Sequence, residues 1–279
     1  MERKNNSILP ILNVDRVQKT YRDQRSLFRQ SATTVTALNR VSLEVQKGEV
    51  FGLVGASGSG KTTLARLVLK LEEFEAGSIR FHETEIRNLK GRNLRAFRRK
   101  VQMIPQDPYQ SLNPYLSVHD TLLEPLSIHK IGTRTSRTEI IRESLEAAGL
   151  TPAEDFFLSY PHQLSGGQRQ RAAIARAMVL KPEFLVADEP TSMLDASISF
   201  NIFRLLIDIQ KRRQVTFLFI THDLAAARFF CDRIAVIYQG DIVETGTTEK
   251  VIQNPQSEYT KALIRAQPKF SFAKTTRPT

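Results

Sequence analysis

Cysteine is almost missing from this chain. Cys231 stands alone among 279 residues, so no disulfide can close within the chain and no cysteine-rich zinc or iron–sulfur site can be built from it. That fits a reducing compartment. Long apolar runs are missing too. A membrane helix needs about 20 apolar residues, and stretches such as Val215–Ile220 are strand-sized. Met1–Val14 begins basic, but its apolar part is short and broken by Pro10, so it does not read as a secretory signal. His82, His119, His129 and His162 show no metal-binding spacing. Internal repeats and low-complexity blocks are absent, and the expected compartment is the cytoplasm.

What the chain does have is an ordinary globular balance, 41% hydrophobic and 25% charged, with a formal net charge of +11. An excess of that size is compatible with nucleic acid, an anionic membrane surface, or a solvated basic face around a nucleotide site. Much of it lies in Leu89–Lys100 and in Lys269–Thr279. Neither stretch has the interleaved aromatics of a single-strand binding groove, which favours the solvated face.

The hydrophobic pattern is that of an α/β protein. Val41–Val45 alternates like a half-buried strand, and Glu49–Gly55 is a nearly continuous apolar run ending in a glycine loop. Three more short runs, Phe184–Asp188, Thr216–His222 and Ile234–Gly240, suit interior strands of a mostly parallel sheet. Helical spacing follows the first run at Thr62–Leu71 and recurs at Phe200–Arg213. Between Pro105 and Arg171 strand-like runs stop. There Ser136–Leu150 reads as an amphipathic helix with a serine start and a glycine near its end, so a helical insert over about 106–171 is expected. The last ~30 residues read as a small appended segment.

The chemistry begins at Gly55-Ala56-Ser57-Gly58-Ser59-Gly60-Lys61-Thr62, followed by Thr63, which matches G-x-x-x-x-G-K-[ST]. Its glycines let backbone N–H groups curl around a phosphate, and the helix that follows adds its dipole. Lys61 would reach the outer phosphate oxygens and the Thr62 hydroxyl would ligate Mg²⁺. Phe184–Pro190, "FLVADEP", ends an apolar run on Asp188, whose carboxylate would hold a water on Mg²⁺, and on Glu189, which would polarise an attacking water. His222 ends another such run, where ligand groups gather in these sheets. A second anion-type helix start lies at Leu164–Val179, "LSGGQRQRAAIARAMV", where a serine and two glycines open the helix.

The P-loop, "LSGGQRQR", "VADEP", "SMLD" and "THD", in this order, resemble the nucleotide-binding subunit of an ABC transporter over essentially residues 10–250. The resemblance implies a P-loop ABC ATPase with a RecA-like, mostly parallel sheet core, an N-terminal antiparallel β part and a helical subdomain. It implies two subunits facing head to tail, with each ATP–Mg²⁺ between the P-loop of one and the signature helix of the other. The two helix starts are then halves of two different sites. On the same ground Tyr21 matches the aromatic that stacks on adenine, and Gln106 the glutamine that reaches Mg²⁺ and the water. Ser165, Gly166, Gly167 and Gln168 match the groups that bind the opposite subunit's γ-phosphate, Asp195 the aspartate that crosses the interface, and His222 the γ-phosphate contact. Ala56 and Met193 depart from the usual residues, an acid and a smaller side chain. Because Glu189 is present, a competent ATPase is expected.

Gln106–Pro114 and Asn254–Pro268 are similar to stretches of the importers of oligopeptides, dipeptides and nickel. This group lends further expectations. Residues 251–279 form a C-terminal extension that lacks the cysteine-rich part of many members. The partners are a second ATP-binding subunit (a different chain, giving a heterodimer), two transmembrane permeases and, indirectly, an extracytoplasmic substrate-binding protein, with the chain on the cytoplasmic face of the membrane and no nucleic acid involved. The alternatives are an ABC-type ATPase acting on nucleic acid or ribosomes without a permease, and an exporter subunit.

Overall fold

The structure, a computed structural model, describes residues 9–22 and 34–266. The basic stretch Lys269–Thr279 lies outside them. The chain divides into two compact units, Met1–Leu89 with Ile220–Thr279, and Lys90–Phe219.

The first unit starts with β1 (Leu12–Arg22) and β2 (Thr34–Val45), paired antiparallel with Leu12 opposite Val45 and Thr20 opposite Thr36. Val41, Leu43 and Val45 are buried while Ser42 and Glu44 are exposed, the alternation expected of a half-buried strand. β3 (Val50–Val54) is buried along its whole length and feeds the glycine loop, after which α1 (Lys61–Val68) begins. β4 (Ala76–Phe81) and the short β5 (Thr84–Glu85) complete an antiparallel sheet of order β2-β1-β4-β5.

The second unit opens with α2 (Gly91–Lys100) and β6 (Val101–Ile104). Five α-helices follow before the next strand, α3 (Pro108–Ser111), α4 (Val118–Ile128), α5 (Arg134–Ala147), α6 (Glu154–Phe157) and α7 (Gly166–Met178), with a 3₁₀ turn at Pro161–Gln163 before the last. Ala172, Ala173, Ala175 and Ala177 keep α7 slim, and α3, α4 and α5 pack on it, with Leu122 and Leu126 of α4, Ile141 and Leu145 of α5 and Ile174 of α7 all fully buried. α5 starts one turn earlier than its sequence suggests. Thr133 is its N-cap, and Ser136 sits three residues on, accepting the Thr133 N–H through its hydroxyl at 2.8 Å in a reciprocal capping box. A serine at that third position imitates a cap in the sequence. β7 (Phe184–Asp188) pairs parallel with β6, and α8 (Ala196–Arg213) follows.

β8 (Thr216–Thr221) carries the chain across the boundary between the units. α9 (Leu224–Phe230) and β9 (Arg233–Tyr238) come next, and β9 lies parallel to β3 with Phe51 opposite Arg233 and Val54 opposite Val236. β10 (Asp241–Thr247) turns back antiparallel on β9 through Gln239 and Gly240. Both turn residues have positive φ, 47° and 87°, as a two-residue hairpin of the right twist requires. α10 (Thr248–Gln253) and α11 (Glu258–Ala266) end the described chain. No helix among the described residues is long and apolar enough to cross a membrane.

Candidate functional site

In the first unit the site is the loop between β3 and α1. Gly55 is held from two sides. Its N–H donates to Thr221 O at 3.4 Å, and a Cβ placed on it would lie 2.3 Å from Ile237 O. Gly60, at φ 108°, passes so close to Ala37 that a Cβ there would meet the Ala37 carbonyl oxygen at 2.4 Å. No residue other than glycine fits at these two points. Gly58 has φ 77° and open space where a side chain would be, with Ala56, Ser57 and Gly58 exposed.

Lys61 is 5% exposed, and its ammonium donates to Gly55 O at 2.8 Å and Ala56 O at 2.7 Å. The Ser59 hydroxyl is buried and has no hydrogen-bond partner. Gly60 is the N-cap of α1 without a side-chain cap, and the first turn carries no acid. A buried lysine, a bare helix start and an orphaned hydroxyl in one loop fit an anion with several oxygens. Thr62, exposed, and Thr63 follow in the first turn of α1.

Tyr21, near the end of β1, is 38% exposed. Its phenol donates to the Glu72 carboxylate, and burial, followed by the bond to Glu72, pushes its pKa above the usual tyrosine value. The Thr63 hydroxyl bonds the same phenol, so Tyr21 lies against the loop-proximal end of α1. His222 is exposed and follows Thr221, the residue whose carbonyl receives the Gly55 N–H.

In the second unit Asp188 ends β7 and is 2% exposed. Glu189 follows with φ 44°, a left-handed conformation that costs a non-glycine residue about 1–2 kcal/mol. Its carbonyl accepts both the N–H and the hydroxyl of Ser192 at 3.1 Å, which fixes the turn. Its carboxylate accepts from the Gln106 side-chain amide at 3.3 Å. The structure thus brings Gln106 and Glu189 together, although 83 residues of chain separate them.

Ser165 caps α7 through a capping box: its hydroxyl accepts the Gln168 N–H at 3.2 Å, and the Gln168 side chain accepts the Ser165 N–H at 2.9 Å. The sequence suggested a start with several unsatisfied N–H groups. The box occupies two of the four first-turn donors, leaving those of Gly166 and Gly167. Gly167 is buried against α8, where an added Cβ would come 2.9 Å from an Ile198 methyl. Asp195 caps α8, accepting from Ile198 N at 2.9 Å and Ser197 Oγ at 2.8 Å. Those bonds, the Ile198 N–H first, hold its carboxyl below the usual aspartate range.

Sequence reasoning missed Arg169 and Tyr109. Arg169 is buried and donates to Pro161 O and Leu164 O, each at 2.8 Å, on the approach to Ser165. Its guanidinium carbon stands 3.5 Å from the centre of the Tyr109 ring, in the helix just after Gln106. The Gln106 segment and the start of α7 are therefore joined through one stacked arginine. "GGQRQR" showed the arginine but not where it turns.

A protein-family model described as ABC transporter matches residues 38–192, more than half of the chain. The chain belongs to the ABC transporter family. It is 44% identical over 238 residues to the oligopeptide transport ATP-binding protein OppF of Streptococcus mutans, covering 85% of this chain and 77% of that one. It is 46% identical over 235 residues to the dipeptide transport ATP-binding protein DppF of Lactococcus lactis, covering 83% and 75%. Among solved structures it resembles a dimeric ATP-binding cassette in a post-hydrolysis state bound to ADP and Pi, with a TM-score of 0.74, 30% identity and coverage of 85% of this chain and 98% of that one.

Proposed function

We propose that this chain is the ATP-hydrolysing subunit of a peptide importer, peripheral to the cytoplasmic face of the membrane, and that residues 10–250 form its ATPase cassette, about 106–171 the helical subdomain and 251–279 an extension. The observation that carries the reading is the loop Gly55–Thr62, in which a buried Lys61 and a helix start without a side-chain cap stand beside the exposed Ala56, Ser57 and Gly58. The names of the oligopeptide and dipeptide transport relatives support the choice of cargo class, with nickel as the other member of that expectation.

On this reading Lys61 and the N–H groups of Gly58 and of Gly60 to Thr63 hold the phosphates of ATP, with Ser57 and Ser59 lining the loop and the Tyr21 ring against adenine. Thr62, Gln106 and Asp188 would hold Mg²⁺. They offer a hydroxyl, an amide oxygen and a carboxylate, hard donors too few for an all-protein cage and suited to an ion shared with phosphates. When bound, the ion neutralises charge on the phosphate oxygens. Glu189 orients the attacking water, Gln106 holds the Glu189 carboxylate in place, and His222 steadies the γ-phosphate. Ser165, Gly166, Gly167, Gln168 and Asp195 act on the nucleotide of a second subunit, a different chain, and closure of that pair drives two permeases fed by an extracytoplasmic binding protein.

The test is to tag the chain, solubilise the membranes gently and identify what co-purifies. Two multi-spanning proteins and a second ATP-binding chain support the reading. A soluble ATPase without membrane partners, or one that brings down RNA with steeply salt-dependent affinity, overturns it.

A further inference from the structure

The loop Gly55–Thr62 is held by more than its own residues. Ala56 N–H donates to the hydroxyl of Tyr259 at 3.1 Å, and Tyr259 belongs to α11, 203 residues further along the chain. The Tyr259 ring stacks on Tyr238, the last residue of β9, with centroids 4.1 Å apart and planes at 30°. Two residues beyond Tyr238, Gly240 N–H donates to Ser59 O at 3.0 Å. Elements from the C-terminal part of the chain therefore grip the loop at two places.

α11 is anchored independently of the loop. Glu244, on β10, accepts the N–H groups of Gln256 at 2.9 Å and Ser257 at 3.1 Å, just before α11 begins. Burial raises the Glu244 pKa, but the nearby Thr260 hydroxyl, those two N–H groups and Lys261 leave it below the usual range. Thr260, next to Tyr259, is fully buried. The phenol is thus delivered to Ala56 by a docked helix.

Ala56 is the residue where this grip matters. Its carbonyl receives the Lys61 ammonium at 2.7 Å and the Ser59 N–H at 3.3 Å, while its N–H is the group that Tyr259 holds. The position of the Ala56 peptide therefore sets the position of the ammonium that would meet a phosphate. A hydrogen bond on the other side of Ala56 holds that peptide, and with it the ammonium, in place.

We propose that Tyr259 is a positioning residue for nucleotide binding: from the C-terminal helix, its hydroxyl fixes the Ala56 peptide and with it the phosphate-binding conformation of the loop. This rests on the reading of Gly55–Thr62 as the ATP site. Any partner or truncation that lifts α11 then weakens ATP binding without touching a residue of the loop.

The test measures Mg²⁺–ATP binding to the full chain by calorimetry, beside thermal melting. Tyr259→Phe removes the hydroxyl and keeps the ring. The expected result is a Kd raised about 3–10-fold, the size of one hydrogen bond, with the melting temperature within about 2 °C of the parent. In the co-purified transporter the KM for ATP rises while kcat holds. Glu244→Gln, which loosens the start of α11 away from the loop, shifts Kd in the same direction by less, and serves if Tyr259→Phe does not fold. Lys61→Ala is the control for the underlying reading. If Lys61→Ala still binds ATP like the parent, the ATP-site reading fails. If Lys61→Ala loses ATP while Tyr259→Phe and Glu244→Gln bind it with parental affinity, the role of Tyr259 is overturned and the site stands. A lower melting temperature with unchanged Kd also overturns it, since that is what a purely structural tyrosine gives.

Discussion

The starts of α1 and α7 both read as anion sites in the sequence, yet they are built differently. α1 begins on Gly60 with no side-chain cap, a buried lysine as its first residue and no acid in its first turn. α7 begins on Ser165 with a closed capping box, and its second residue, Gly167, is pressed against α8. The first start has no side-chain cap of its own and gains most from an incoming phosphate. The second is half satisfied by its own side chains and has only the N–H groups of Gly166 and Gly167 left to offer. On the proposed reading, a strong half-site and a weak one in the same chain suit a two-subunit nucleotide site, in which each chain would hold its own ATP and the second contact would form on closure.

The largest break in this comparison is Lys61→Ala. It removes the only charged donor of the loop, and ATP affinity of the chain falls by about 100-fold or more. Titration calorimetry reads this directly, and parental affinity would show that the bare start of α1 is not the ATP site. Next in size is Glu189→Gln. It leaves the α1 loop intact, so ATP binding persists while turnover in the assembled transporter drops by about 100-fold or more. Brisk hydrolysis would mean that another group orients the water. Glu189→Gly separates chemistry from strain at the same position: glycine accepts the positive φ, so the variant is more stable by about 1 kcal/mol while it loses turnover.

How the two starts differ was only partly legible in the sequence. The P-loop spacing placed Gly55–Thr62 after a strand and before a helix, because glycine requirements and apolar runs are local signals. The strands Val50–Val54, Phe184–Asp188 and Thr216–Thr221 showed for the same reason. Capping did not show as well. "SGGQ" reads equally as an open anion site or as a serine–glutamine box, since both need a serine three residues before a hydrogen-bonding side chain. Ser136 misled in the same manner. The Arg169–Tyr109 stack and the Tyr259–Ala56 bond were invisible, because each joins residues far apart in the chain through rotamers that no pattern encodes. The motif names the residues that could touch a nucleotide; the residues that hold the motif come from the fold.

A smaller break is Ser165→Ala. It opens the box at α7 and costs about 1 kcal/mol of stability. ATP affinity of the separate chain is unchanged because α1 is untouched, and turnover of the assembly falls. If the separate chain loses ATP affinity too, the two starts are not the independent half-sites contrasted above.

The smallest effect concerns a third helix start, α8, capped by a carboxylate rather than a hydroxyl. The bonds from Ile198 N–H and Ser197 Oγ stabilise the ionised Asp195, so its native pKa lies below that of the unfolded chain, near 3.9. A depressed carboxyl adds stability that is complete above the unfolded pKa and disappears as pH falls through the native one. Asn caps a helix about as well as Asp but does not titrate in this range. Asp195→Asn therefore leaves the melting temperature at about pH 7 nearly unchanged and flattens its decline between about pH 5 and pH 3. A parallel decline in both proteins would show that the cap on α8 does not depend on the charge of Asp195.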